Sequence, residues 1–205
     1  MTDTKLLLAT TNQGKTREIK NFLRSLPVHV FSLRDLKIRS FFEERGHTFL
    51  DNARGKSLFY GQEWQDMILG EDSGLEIDVL SGAPGIVSAR FSGPAATDEK
   101  NILKVLDMLE KVPLKNRQAK FISCMVLTRQ GKVLTQIQEE VQGFITSEKR
   151  GRHGFGYDPI FYYPPLQKTF AELSPEEKNT ISHRGRALKR LKEYLDKWLT
   201  TLHDA

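Results

Sequence analysis

Met67-Ile68-Leu69-Gly70-Glu71-Asp72-Ser73-Gly74-Leu75-Glu76-Ile77-Asp78-Val79 is the stretch on which the fold turns. Met67-Ile68-Leu69 is apolar throughout, as a buried strand would be, and Leu75, Ile77 and Val79 alternate with Glu76 and Asp78, as in a strand with one wet face. Glu71, Asp72 and Ser73 are then expected in a glycine turn between two apolar runs, at the mouth of a sheet. Two carboxylates and a hydroxyl in that place suit a metal-bound phosphate. An exposed hairpin turn would also be acidic and contain glycine, so the rest of the chain has to decide between the two.

Working outward, strand-like and helix-like segments alternate. Residues 5–9 read as a strand, and a helix from about Gly14 puts Ile19, Phe22, Leu23 and Leu26 on one face. A strand follows near residues 28–33. Residues 48–64 have helical character despite Gly55 and Gly61, and residues 98–111 form a clearer helix with Ile102, Val105, Leu106 and Leu109 on its apolar side. Residues 118–128 are apolar on both faces, hence a central strand; Val133, Ile137 and Val141 alternate with polar neighbours and should pair with it across Gln130-Gly131. The last helix, from Ser182 to about Leu202, carries Leu188, Leu191, Leu195, Trp198 and Leu202 as a core stripe and Arg186, Lys189, Arg190 and Lys192 on a solvated face. The pattern predicts an α/β fold, a mixed central sheet flanked by helices.

At 205 residues, one domain over 1–205, with two lobes, is expected, and 39% apolar residues suffice for a core. No apolar run approaches membrane-spanning length and the start, Met-Thr-Asp-Thr-Lys, lacks a secretory profile, so a soluble cytoplasmic protein is expected. The lone cysteine, Cys124, sits in an apolar run and reads as a small core residue rather than a nucleophile. A net charge of +5 permits an anionic partner, nucleotide or nucleic acid, but the basic residues are spread along the chain.

Thr10-Thr11-Asn12-Gln13-Gly14-Lys15 lies between the first strand and the first helix. Amides at a helix start carry partial positive charge, glycine lets backbone approach an anion, and the lysine adds a full charge, so a phosphate belongs there. Residues 9–16 differ from the phosphate-loop pattern only by Ala9 in place of its first glycine, which makes a phosphate-loop kinase or NTPase the natural competitor. An ordinary strand-to-helix turn with a threonine or asparagine cap is the plain alternative.

Three further pieces bear on the choice. Glu43-Glu44-Arg45-Gly46 leads into a segment where Asn52 and Lys56, four apart, share a helix face. Gly154-Phe155-Gly156-Tyr157-Asp158-Pro159 sets aromatics and an aspartate on a glycine-flexed turn, and residues 178–184 place Lys178, His183 and Arg184 around the start of the last helix. Ser174-Pro175-Glu176-Glu177 is a capping box with proline at the first helical position. The ordered set Thr10-x-Asn12-x-Gly14-Lys15, Thr48-Phe49 with Asn52-Ala53-x-x-Lys56, Asp72-Ser73-Gly74-Leu75, Gly82-Ala83-Pro84-Gly85 with Ser88-Ala89-Arg90, Phe155-Gly156-Tyr157-Asp158-Pro159, and Lys178 with Ser182-His183-Arg184 closely resembles the inosine/xanthosine triphosphate pyrophosphatases. The resemblance spans the chain from Leu7 to the final helix and accounts for the second half, which a phosphate-loop reading leaves idle.

The resemblance implies an elongated two-lobed α/β protein with a central cleft, a homodimer, and Mg²⁺-dependent hydrolysis of ITP, dITP or XTP to monophosphate and pyrophosphate, with no stable nucleic-acid or membrane partner. It implies that Asp72 binds Mg²⁺ and helps activate water, and that Glu44 is the second acidic metal contact. Thr10, Thr11, Asn12, Gln13, Gly14, Lys15 and Lys56 would hold the triphosphate, with Ser73 beside the metal. Where the family most often has Asp-Asp before the serine, this chain has Glu71-Asp72, and Thr11 stands where glycine is frequent. Phe155 and Tyr157 would offer stacking surface to the purine, with Gly156 between them among the substrate contacts; Arg184 or His183 as donor and Asp158 as acceptor would match a 6-oxo, N1–H edge and oppose adenine. Lys178 and Ser182 complete the expected nucleotide contacts.

Overall fold

The computed structural model describes residues 4–203, with side chains through 201. In chain order the regular elements are β1 Lys5–Ala9, α1 Gln13–Leu23, β2 His29–Ser32, α2 Phe49–Phe59, β3 Met67–Ile77, α3 Asp98–Met108, β4 Gln118–Arg129, β5 Lys132–Ile145, β6 Phe161–Tyr163, β7 Lys168–Thr169, α4 Pro175–Ile181 and α5 His183–His203, joined by several short 3₁₀ turns. Seven strands form one sheet in the order β2-β1-β3-β4-β5-β6-β7. β1 pairs in parallel with both β2 and β3, whereas β5–β6 and β6–β7 are antiparallel, so the sheet is mixed, as the alternation of segments predicts. Gln130 (φ 49°) and Gly131 (φ 72°) both take the left-handed conformation, which a two-residue hairpin loop between β4 and β5 demands.

The chain divides into two compact units. One comprises the chain up to Asp72, Ser123–Glu139 and the chain from Arg186 onward. Here Leu6 and Leu8 of β1, Met67 and Leu69 of β3, Met125 and Leu127 of β4, and Ile137 of β5 form a core with Ile19 and Leu23 of α1 and Leu188, Leu191 and Leu195 of α5. On the opposite face of the same strands, Leu7, Ala9 and Ile68 pack with Leu33 and Tyr60. Burial on both faces is the reason these strands read as unbroken apolar runs. Leu202 lies outside the residues whose side chains are described. Arg186, Lys189 and Arg190 are exposed, and Arg190 pairs with Glu139 at 2.8 Å, so the basic face of α5 is solvated as expected.

The second unit comprises Ser73–Ile122 and Glu140–Gly185. Leu75, Ile77, Ile102, Val105, Leu109, Phe121, Val141, Ile145, Phe161 and Phe170 are its core. Cys124, in the other unit, is buried. No helix among the described residues is long and apolar enough to cross a membrane.

Two expectations need correction. Gly70-Glu71-Asp72-Ser73-Gly74 is no turn: β3 runs through it without interruption. Gly70 serves close approach instead, because a Cβ there would stand 2.0 Å from the Ala53 carbonyl oxygen of α2. The strand also stops at Ile77, and Val79 lies exposed in a 3₁₀ turn over Asp78–Leu80. Ser81 (φ 52°) and Gly82 (φ 85°) reverse the chain there, and Ile77 N–H donates to the Ala83 carbonyl at 3.2 Å.

Within the second unit, buried Arg117 closes the end of α3. Its guanidinium donates to the carbonyls of Val112 (2.9 Å), Leu109 (2.8 Å) and Thr146 (3.1 Å), of which the Leu109 oxygen also accepts from Val112 N–H. Arg117→Met keeps the stem and strips the Val112 and Thr146 oxygens of this partner. At roughly 1–3 kcal/mol for each buried polar group left unpaired, urea unfolding should show a loss of several kcal/mol, far more than an exposed arginine would cost.

Candidate active site

Two clusters of polar side chains are buried, one in each unit. The first is built on β3, α1 and α2. Glu71 is 0% and Asp72 5% exposed, although both lie mid-strand. A buried carboxylate needs partners. Lys15 Nζ lies 2.8 Å from Glu71 Oε2 and 3.9 Å from Asp72 Oδ1. Lys56 Nζ lies 3.4 Å from Asp72 Oδ1, 2.5 Å from Glu44 Oε1, and donates to the Glu71 carbonyl at 3.0 Å. Asn52 Nδ2 donates to Asp72 Oδ2 at 3.0 Å, and Ser123 Oγ to Glu71 Oε1 at 3.4 Å.

Local sequence explains how these groups arrive. Thr48 and Asp51 form a reciprocal capping box that starts α2, after which Asn52 and Lys56, one helical turn apart, face β3. Missing Cβ at Gly70 lets α2 sit directly on the strand. At α1, Asn12 is the N-cap and its Oδ1 accepts from Lys15 N–H at 3.0 Å, while Thr16 Oγ1 donates to the Asn12 carbonyl at 3.0 Å. The amides of Gln13 and Gly14 have no intrahelical acceptor by construction. The first turn of α1 holds no acidic residue, and Lys15 puts a cation at the positive end of the helix dipole. Glu71 and Asp72 offset that local penalty from outside the helix.

Burial is the largest influence on Asp72 and pushes its carboxyl above the usual aspartate range, with Lys56 and Lys15 pulling back and Glu44 and Glu71 adding to the rise. For Lys56, burial alone would pull the ammonium down, but Asp72, Glu44 and Glu71 together outweigh it and hold it above the ordinary lysine value. Two ammonium groups thus face three carboxylates, formally one negative charge in excess. Among the described residues no group of three or more His, Cys, Asp or Glu side chains forms a ready-made metal cage. Thr10 is half-buried, whereas Thr11, Asn12 and Gln13 are exposed.

The second cluster surrounds Phe155. Lys178 Nζ stands 4.9 Å, and the Arg184 guanidinium carbon 5.3 Å, from the centre of its half-buried ring. Arg184 Nη2 donates to Ser73 Oγ at 2.7 Å. Lys178 pairs with Asp158 Oδ2 at 2.5 Å, and the same oxygen accepts from Phe155 N–H at 2.9 Å. The turn depends on glycine: Gly154 has φ 77°, and a Cβ on it would stand 2.0 Å from Asp158 Oδ2. Gly156 N–H donates to Asp98 Oδ2 at 2.7 Å. Gly185 lets α4 and α5 meet, since its Cβ would come within 1.9 Å of the Asn179 carbonyl oxygen, and Ser182 Oγ caps α5 by accepting from Gly185 N–H at 3.1 Å.

The structure therefore gathers Lys15, Lys56, Glu44, Glu71 and Asp72 at one place, and Ser73, Phe155, Asp158, Lys178 and Arg184 at another. Tyr157 is different. It is 4% exposed, its ring is core, and its hydroxyl donates to the Ser88 carbonyl at 2.8 Å, with burial raising its pKa. His183 is also buried and lies flat on Phe121, ring centres 4.7 Å apart at 11°. Sequence reasoning placed Asn52 beside Lys56 on a helix face but gave it no role, and left Glu71 undecided; the signal for Asn52 was the face it shares with Lys56, and for Glu71 a carboxylate directly after the apolar run Met67-Ile68-Leu69.

Residues 6–194 match the Ham1 family. The chain is 43% identical over 195 residues to a dITP/XTP pyrophosphatase of Thermoanaerobacter pseudethanolicus, covering 95% of this chain and 98% of that one. It is 44% identical over 190 residues to a dITP/XTP pyrophosphatase of Halalkalibacterium halodurans, covering 93% and 98%. Among solved structures, a HAM1 protein from Coxiella burnetii superposes with a TM-score of 0.85 at 38% identity, and the Staphylococcus aureus Ham1 protein with 0.84 at 37%; each comparison covers 95% of this chain and 99% of the other.

Gly70→Ala tests how the first cluster is assembled. The obstruction is backbone, which cannot swing aside, so β3 and α2 must separate; urea unfolding should show a loss of roughly 1–3 kcal/mol.

Proposed function

The chain belongs to the Ham1 family, and from that premise we propose that it hydrolyses non-standard purine nucleoside triphosphates, ITP, dITP and XTP, to the monophosphate and pyrophosphate. The observation that carries the reading is the burial of Glu71 and Asp72 in mid-strand against Lys15 and Lys56. Structural convenience does not account for it: apolar residues would fill β3 at lower cost.

A triphosphate tail will not enter a cluster carrying excess negative charge unless a divalent cation comes with it. Hard carboxylate oxygens suit Mg²⁺, which needs only one or two of them because it keeps waters and takes phosphate oxygens as further ligands. Asp72 and Glu44 would hold it, with Glu71 behind them. When bound, Mg²⁺ neutralises phosphate charge and lowers the barrier to attack. The chain's own groups do the rest. The Gln13 and Gly14 amides and the Lys15 ammonium bind the tail, and Lys15 and Lys56 offset the charge that grows on departing pyrophosphate. Asp72, whose carboxyl burial holds above the usual aspartate range, would help activate the attacking water.

For the base we propose that Phe155 supplies the stacking face and Arg184 the donor to a 6-oxo group. Asp158 Oδ2 is engaged by Lys178 and by Phe155 N–H, so Asp158 acts by fixing the turn and Lys178. Adenine offers an amino donor where hypoxanthine offers an acceptor, and a buried donor facing a donor is left unpaired. We extend the reading to a homodimer acting in the cytoplasm, and to a protein with no stable nucleic-acid partner.

Anion-exchange chromatography of an ITP digest with Mg²⁺ should yield IMP and pyrophosphate; release of orthophosphate with IDP would support the phosphate-loop alternative and overturn this reading. Asp72→Asn, isosteric but a poor base, should lower kcat by about 10²–10⁴-fold with the fold intact. Arg184→Ala should shrink the ratio of kcat/KM for ITP over ATP by roughly tenfold to a hundredfold, mostly through loss on ITP.

A further inference from the structure

Asn52 is 0% exposed and both ends of its amide are engaged. Its Oδ1 accepts from Gly46 N–H at 2.8 Å and its Nδ2 donates to Asp72 Oδ2 at 3.0 Å. The orientation is fixed by chemistry: an N–H must meet the amide oxygen, so the amide nitrogen has to face the carboxylate. Gly46 fits closely, since a Cβ there would stand 2.6 Å from Asn52 Oδ1 and 2.7 Å from Asp51 Cβ. Gly46 ends the segment Glu43-Glu44-Arg45, whose Glu44 is held by Lys56. One side chain on α2 thus ties the Glu44 segment to Asp72 of β3.

We propose that Asn52 is a positioning residue for the cation site: by holding Asp72 Oδ2 and the Gly46 amide together, it sets the distance between the Asp72 and Glu44 carboxylates. It touches neither substrate nor metal. With Oδ2 occupied by a neutral donor, the Asp72 carboxylate has a fixed plane, and Oδ1 is the oxygen turned toward Lys15 and Lys56. A neutral amide suits this task, because a third lysine would cancel the excess negative charge that draws a divalent cation, and a hydroxyl is too short to bridge both partners. The inference rests on the assignment of Asp72 and Glu44 as the acidic contacts.

Mn²⁺, read by electron paramagnetic resonance on nucleotide-free full-length protein, is the probe. Asn52→Ala should raise the Mn²⁺ dissociation constant about tenfold or more, the usual effect of removing a group that orients a ligand. Gly46→Ala, which does not touch Asp72, should weaken binding in the same direction by pressing on Asn52 Oδ1. Unchanged Mn²⁺ affinity in Asn52→Ala with only a lowered melting temperature, the result of a purely structural role, would overturn the proposal. If the wild-type chain binds no Mn²⁺ while Asn52→Ala behaves identically, the cation assignment itself falls and this inference with it.

Discussion

Two carboxylates buried side by side in the middle of a strand are the constraint around which one half of this molecule is arranged. Glu71 and Asp72 project from β3 and are almost fully shielded from solvent. Desolvating a carboxylate costs several kcal/mol even after relaxation, and the cost is offset only if cations and donors reach it. That requirement dictates the rest: a lysine at the unfavourable end of α1, a second lysine on α2, an asparagine beside it, and a glycine on the strand so that α2 can come close enough to deliver them. The lysine in the first turn of α1 and the carboxylates in mid-strand depart from what local propensity would choose. Consistent departures of this kind mark places where function has overruled stability.

The cluster around Phe155 obeys a different logic. Its cations are held by an aromatic face, a serine and a single carboxylate, and its turn is possible only because Gly154 accepts a left-handed conformation and a 2.0 Å approach that a side chain would block. Asp158 consequently serves the architecture of the turn and the placement of Lys178. Tyr157 and His183, neighbours of these residues in sequence, are drawn into the core by Ser88 and Phe121. Motif residues that are adjacent in the chain have been divided between the Phe155 cluster and the core.

Much of the fold was legible in advance. Runs of unbroken apolar residues gave β1 and β4, three- and four-residue spacing gave α1, α3 and α5, and the alternation of Val133, Ile137 and Val141 with polar residues gave the strand paired across Gln130-Gly131. The error at Gly70 has a clear cause. Glycine beside carboxylates is the ordinary vocabulary of a turn, and sequence cannot distinguish a glycine needed for backbone freedom from one needed for closeness to another element. Val79 failed for a related reason: its alternation with Asp78 continued the strand pattern, while the reversal at Ser81-Gly82 had already taken the chain elsewhere.

By itself the sequence determined the mixed α/β architecture, through periodicity, and the family, through the order of its motifs along the chain. Only the tertiary structure decided which polar residues meet. Asn52, Lys56 and Asp72 lie up to twenty positions apart, and Arg184 and Ser73 more than a hundred. Such contacts arise from how helices and strands pack, which depends on every core residue at once, and no local pattern of letters records it.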